Sequence, residues 1–114
     1  MQIAMDMAKI AYEALADKKG EDIKVIDISE ISPLADYFLI ANGNSENQVR
    51  ALVDNVDDEM HKHGYELKQR EGYTSGKWVL MDFGDIIIHV FDRDSRQFYD
   101  LERIWRDGNV VEEL

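Results

Sequence analysis

Apolar residues recur at helical spacing from the start of the chain: Ile3, Met7, Ile10 and Ala14, with Ala4, Ala8, Ala11 and Leu15 beside them. This predicts an amphipathic helix over about residues 2–18. Lys18, Lys19 and Gly20 follow, basic residues and a glycine that suit a helix end. The period then changes. Ile23–Ile28 alternates and reads as a strand, and Ser29–Ala35 is a loop holding Pro33, the only proline. Tyr37–Ala41 (YFLIA) is an unbroken apolar run, the pattern of a strand buried on both faces. Ser45 and Gln48 form a capping box, so a second helix begins at Ser45. Its buried stripe is Val49, Leu52, Val53, Val56 and Met60, and Gly64 closes it. Tyr65–Arg70 is a polar strand expected near a sheet edge, and Glu71–Gly76 a glycine-containing loop expected to be mobile.

Two alternating runs follow, Lys77–Phe83 and Ile86–Phe91, joined by Gly84-Asp85. That pair suits a two-residue hairpin loop. The loop sets the register: Phe83 opposite Ile86, Asp82 opposite Ile87, Leu80 opposite His89, Trp78 opposite Phe91. One face then carries Val79, Met81, Phe83, Ile86, Ile88 and Val90, all apolar. The other carries Trp78, Leu80, Asp82, Ile87, His89 and Phe91, apolar area with an acid and an imidazole set in it. Such a mixture suits a binding surface. It also suits plain structure: a Trp–Phe cross-strand pair stabilises hairpins, Asp82 can end a strand, and His89 can be a satisfied core histidine. A last helix starts near Asp94 or Ser95 and runs to about Trp105. Phe98, Leu101 and Trp105 face inward, while Arg96, Tyr99, Arg103 and Arg106 share another face; Asp107–Leu114 reads as frayed. The predicted order is α-β-β-α-β-β-β-α, an α/β (α+β) fold with one mixed five-stranded sheet flanked by helices.

The chain has 114 residues, enough for one domain spanning 1–114 with its own core. It has no cysteine, which removes disulfides and thiolate chemistry. It has no apolar run long enough for a membrane span, and its N-terminus lacks the basic start of a signal peptide, so a cytoplasmic location is expected. Its net charge of −11 opposes binding to nucleic acid and anionic membranes, and favours basic protein partners.

Candidate chemistry is sparse. Neither phosphate-loop pattern occurs. Gly43–Ser45 at a helix start could receive an anion, but capping accounts for it. His61 and His63 lie two apart at a helix end with no third ligand near in sequence, so no metal site is expected. No serine stands in a nucleophile-elbow context. A small nucleotide-handling enzyme would have to draw on Gly43–Ser45, Asp36, Asp82 and His89, and Asp82 does not begin the Asp-x-Asp of a nucleotidyltransferase, since Phe83 and Gly84 follow it.

Three segments carry a family resemblance: DYFLIANG (36–43), GKWVLMDFGDIIIHVF (76–91) and SRQFYDLERIW (95–105). With the first helix and YELKQREG before the hairpin, the whole chain resembles the ribosomal silencing factors of the Iojap family. The resemblance implies a nucleotidyltransferase-like core without the catalytic acids, and a translational repressor rather than an enzyme. It implies binding to the large ribosomal subunit through its fourteenth protein, blocking subunit joining when nutrients are scarce. No cofactor is called for, and a homodimer of the free protein stays open. On this reading Trp78 is the anchor of the partner-binding face. Leu80 and Phe91 extend it, Asp82 accepts from a basic side chain, Tyr99 flanks the patch, and Lys77 and His89 are secondary candidates.

Overall fold

The apolar stripes predicted for the two long helices need a common surface, and the sheet supplies it. In the computed structural model, which describes residues 3–30, 32–33, 35–99 and 109–110, α1 (Ile3–Asp17) and α2 (Glu46–Lys62) lie on one face of a mixed sheet. Side chains are described as far as Arg96, and for residues 97–99 and 109–110 the backbone alone. The strands are β1 (Glu21–Asp27), β2 (Tyr37–Gly43), β3 (Gln69–Glu71), β4 (Trp78–Asp82), β5 (Ile86–Asp92) and β6 (Asn109–Val110), in the spatial order β3-β4-β5-β2-β1-β6. A short helix, α3 (Arg93–Tyr99), follows β5. The five expected strands are present, and β6 is a two-residue addition along β1, at Ile26 and Asp27. Those two residues fall in the stretch read as frayed. The expected run of α3 to Trp105, with Leu101, Arg103 and Arg106, lies outside the described residues.

The hairpin keeps its expected register, with Trp78 opposite Phe91, Leu80 opposite His89 and Asp82 opposite Ile87. The Phe83 N–H donates to the Ile86 carbonyl at 3.0 Å, closing the turn. Gly84 takes φ +93°, which a side-chain-bearing residue adopts only with strain. β2 pairs in parallel with β5, so it is a central strand, and Phe38–Gly43 are all buried. That is what its unbroken apolar run requires.

The sheet divides the core in two. On the helix side, Val25, Leu39, Ala41, Val79, Met81, Ile86, Ile88 and Val90 pack with Met7, Ala11, Leu15 and the α2 stripe. On the other side, Ile26, Ile28, Ala35, Phe38, Ile40 and Phe91 form a second cluster, with Trp78 and Ile87 against it.

Helix α2 starts as expected, with the Ser45 hydroxyl accepting from the Gln48 N–H at 3.1 Å. The return bond differs from the standard box. Gln48 Oε1 takes the Asn44 N–H, one residue before the cap, and its Nε2 donates to the carbonyls of Lys18 and Lys19 at the end of α1. One glutamine thus ties the start of α2 to the end of α1.

The loop expected to be mobile is anchored. Arg50 Nη1 donates to the Thr74 carbonyl at 3.1 Å, the Tyr73 hydroxyl donates to Asp54 at 2.9 Å, and the Arg70 guanidinium lies 4.1 Å over the Tyr73 ring. Gly72 holds φ +85°, and a Cβ there would overlap the Trp78 carbonyl oxygen. The expected strand Tyr65–Arg70 is shortened and shifted to Gln69–Glu71, fully exposed at the sheet edge.

Candidate functional site

Alternation along β4 puts Trp78, Leu80 and Asp82 on the face away from α1 and α2, and all three are half-buried. Gln69 and Glu71 of β3 stand opposite Asp82 and Leu80 and are exposed. The resulting strip is aromatic, then apolar, then acidic, with a polar margin on the sheet edge.

An aromatic layer lies beneath the strip. The Trp78 ring stacks on Phe91 with centroids 5.3 Å apart and planes at 23°. Its Nε1–H donates to His89 Nδ1 at 2.7 Å. His89 in turn lies 4.6 Å from the Phe38 ring. The His89–Trp78 contact is diagonal, because Leu80 is the direct partner of His89; that spacing is within reach of large side chains. His89 is 6% exposed and Phe91 is fully buried, so both support the strip from below. Burial also holds the His89 imidazole neutral, with its pKa pushed down to about 4. A neutral ring that accepts at Nδ1 carries its proton on Nε2.

Asp82 has a local task as well: Oδ1 accepts the Gly84 N–H at 2.8 Å and braces the turn. A carboxylate bound in this way still has lone pairs to offer. Lys77 is exposed and immediately precedes β4. Tyr99 ends α3, and its side chain lies outside the described residues.

Arg96, grouped from sequence with Tyr99 on a face other than the inward one, is buried, at 8% exposed. Its Nη1 donates to Asn42 Oδ1 at 2.8 Å and to the Asp22 carbonyl at 2.6 Å. Asn42 Nδ2 donates to Glu21, which also receives Arg93 Nε at 2.8 Å. The Arg93 guanidinium beside Glu21 lowers the pKa of that carboxyl. This lattice clamps α3 over the ends of β1 and β2. Its sequence signal was weak, since Asn42 falls just past the apolar run Tyr37–Ala41 and nothing local pairs it with Arg96.

The residues of the nucleotide-handling alternative are not brought together. Gly43 pairs with Asp92 at one end of β5, whereas Asp82 pairs with Ile87 near the other end. Five residues of strand, about 16 Å, separate those positions. Asp36 is at the Asp82 end, its N–H bonded to the Asp85 carbonyl. A cavity of about 430 Å³ does open at the start of α2, lined by Ser45, Glu46, Arg50, Asp92, Arg93 and Asp94. Four of its polar side chains have structural tasks: Ser45 caps α2, Asp92 caps α3 through the Ser95 N–H, Arg93 holds Glu21 and Arg50 holds the loop. Among the described residues no cluster of His, Asp and Glu could hold a metal, and no helix is long and apolar enough to cross a membrane.

Comparison with known proteins adds what geometry alone does not. Residues 2–114 match the family described as "Ribosomal silencing factor during starvation". A ribosomal silencing factor from Bacillus subtilis is 43% identical over 104 residues, covering 91% of this chain and 88% of its own. A crystal structure of a Chromobacterium violaceum protein superposes with a TM-score of 0.88 at 38% identity, covering 90% of this chain and 85% of its own. A mouse protein named for mitochondrial assembly of the ribosomal large subunit is 33% identical over 98 residues, covering 80% of this chain and 41% of its own.

Proposed function

Because the chain belongs to the ribosomal silencing factor family that includes Iojap, we propose that it docks on the large ribosomal subunit through that subunit's fourteenth protein and so keeps the small subunit from joining. Translation would fall as a result, in the starvation setting that the family description names. The observation that carries the docking site is the strip Trp78–Leu80–Asp82 on one face of β4. A tryptophan braced from below is a strong anchor, because little side-chain freedom remains to be lost on binding. Leu80 adds apolar area, and Asp82 can accept from a lysine or arginine of the ribosomal protein. Tyr99 and Lys77 flank the strip, with His89 and Phe91 beneath it. A net charge of −11 favours approach to a basic protein and disfavours readout of bare RNA. The mechanism is occlusion, which calls on no catalytic group, cofactor or metal, and it takes place in the cytoplasm. Any homodimer of the free protein would be expected to compete with docking.

Co-sedimentation with purified large subunits, small subunits and assembled ribosomes tests the proposal. The protein should pellet with large subunits and reduce assembled particles when both subunits are mixed with it. Trp78→Ala should lose the binding while retaining its circular dichroism spectrum. Pelleting with small subunits alone, or with nothing, would overturn the assignment. Unchanged binding by Trp78→Ala would overturn the site.

A further inference from the structure

Among the docking-face candidates, His89 stands apart. It carries a hydrogen-bonding ring but is 6% exposed, too buried to offer a partner much surface. Ring packing alone does not require an imidazole there. Phe38 and Phe91, with ring centroids 4.6 and 6.2 Å away, would accommodate an apolar ring. Burying a polar ring costs desolvation free energy, which is recovered only where its nitrogen is used. Here Nδ1 takes the Trp78 Nε1–H at 2.7 Å, and an indole has no second donor.

We infer that His89 is a positioning residue for the docking surface: it holds the Trp78 indole by its only N–H, so that Trp78 meets the ribosomal partner through its ring, against an apolar or cationic side chain, without donating a hydrogen bond to it. The inference rests on the docking face proposed above. The N–H directed inward and the Phe91 ring stacked on it both hold the indole. With its only N–H taken, what the indole can offer a partner is carbon, a contact that suits an aliphatic group or the π-attraction of a lysine or arginine. A partner acceptor placed against it would lose water and gain no donor.

Two variants separate positioning from packing. His89→Phe keeps an aromatic ring and removes the acceptor, whereas His89→Gln supplies an amide oxygen. The Trp78 indole N–H resonance, identified by its loss in Trp78→Phe, reports the bond directly. His89→Phe should move that resonance upfield and speed its exchange with water, and should weaken large-subunit binding about fivefold. His89→Gln should restore both toward wild type. If His89→Phe does not fold, His89→Leu takes its place. An unmoved resonance in the apolar variant would overturn the hold on Trp78. A moved resonance with undiminished binding would overturn its role in docking. Failure of the wild-type protein to bind large subunits would instead overturn the proposed function, and the positioning role with it.

Discussion

Lowering the pH should unload stability through His89 by a calculable amount. Its imidazole is buried in the aromatic layer, and desolvation pushes its pKa from 6.5 down to about 4. The unfolded chain takes up a proton near 6.5; the folded one does so only near 4. Between those values the unfolded state binds more protons, so stability rises with pH across the window. The contribution is complete above about 6.5, declines as the pH falls, and is gone below about 4. The separation corresponds to about 3 kcal/mol. For a domain of this size that is roughly 10–15 °C in Tm. Many carboxylates titrate in the same range, so the measurement must be a difference. Calorimetric melts of wild type and His89→Gln would be compared at matched ionic strength from about pH 7.5 to about 4.5. The advantage of wild type over the variant should shrink by roughly 10 °C on acidification. A constant difference across the range would refute the reasoning, because a histidine that titrates alike in both states cannot couple to folding.

Other perturbations should act through the backbone and the α3 clamp. Gly72→Ala should destabilise by about 2 kcal/mol or more, since a Cβ would overlap the Trp78 carbonyl at φ +85°; urea titration at constant m-value checks it. Arg96→Ala should cost about 2–3 kcal/mol by leaving Asn42 Oδ1 and the Asp22 carbonyl without their donor. In amide exchange, that variant should lose protection at α3 and the adjoining ends of β1 and β2 while the hairpin stays protected.

Local chemistry made the hairpin legible. Gly84-Asp85 set the loop length, and alternation then placed every side chain on its face, including the Trp78–Leu80–Asp82 strip. The YFLIA run announced a central strand for the same reason: only a strand covered on both faces is apolar at consecutive positions. Long-range features were less legible. Nothing local says that β2 lies in parallel beside β5, and that neighbour brings Phe38 over His89 and turns half a mixed face into an interior layer. The anchoring of 72–76 depends on Arg50 and Asp54, some twenty residues away on α2, so composition suggested mobility where tertiary contacts supply order. Asn109–Val110 forms a strand because β1 offers it an edge, which no property of those two residues announces. Family resemblance reached the silencing role, which composition and spacing alone did not.

The parallel pairing of β2 with β5 also shapes how the chain can be made. Tyr37 meets Ile86, 49 positions later. During synthesis α1, β1, β2 and α2 can assemble while the other edge of β2 is still unpaired, since its partner has not yet emerged. Closing so long a loop is slow compared with forming the β4–β5 hairpin. For that interval Tyr37–Gly43, apolar almost throughout, presents an open strand edge, the kind of surface that misassembles with its own copies. The yield of folded protein should therefore be set by how fast residues 86–92 arrive, and slow codons between the two strands would lengthen the exposure.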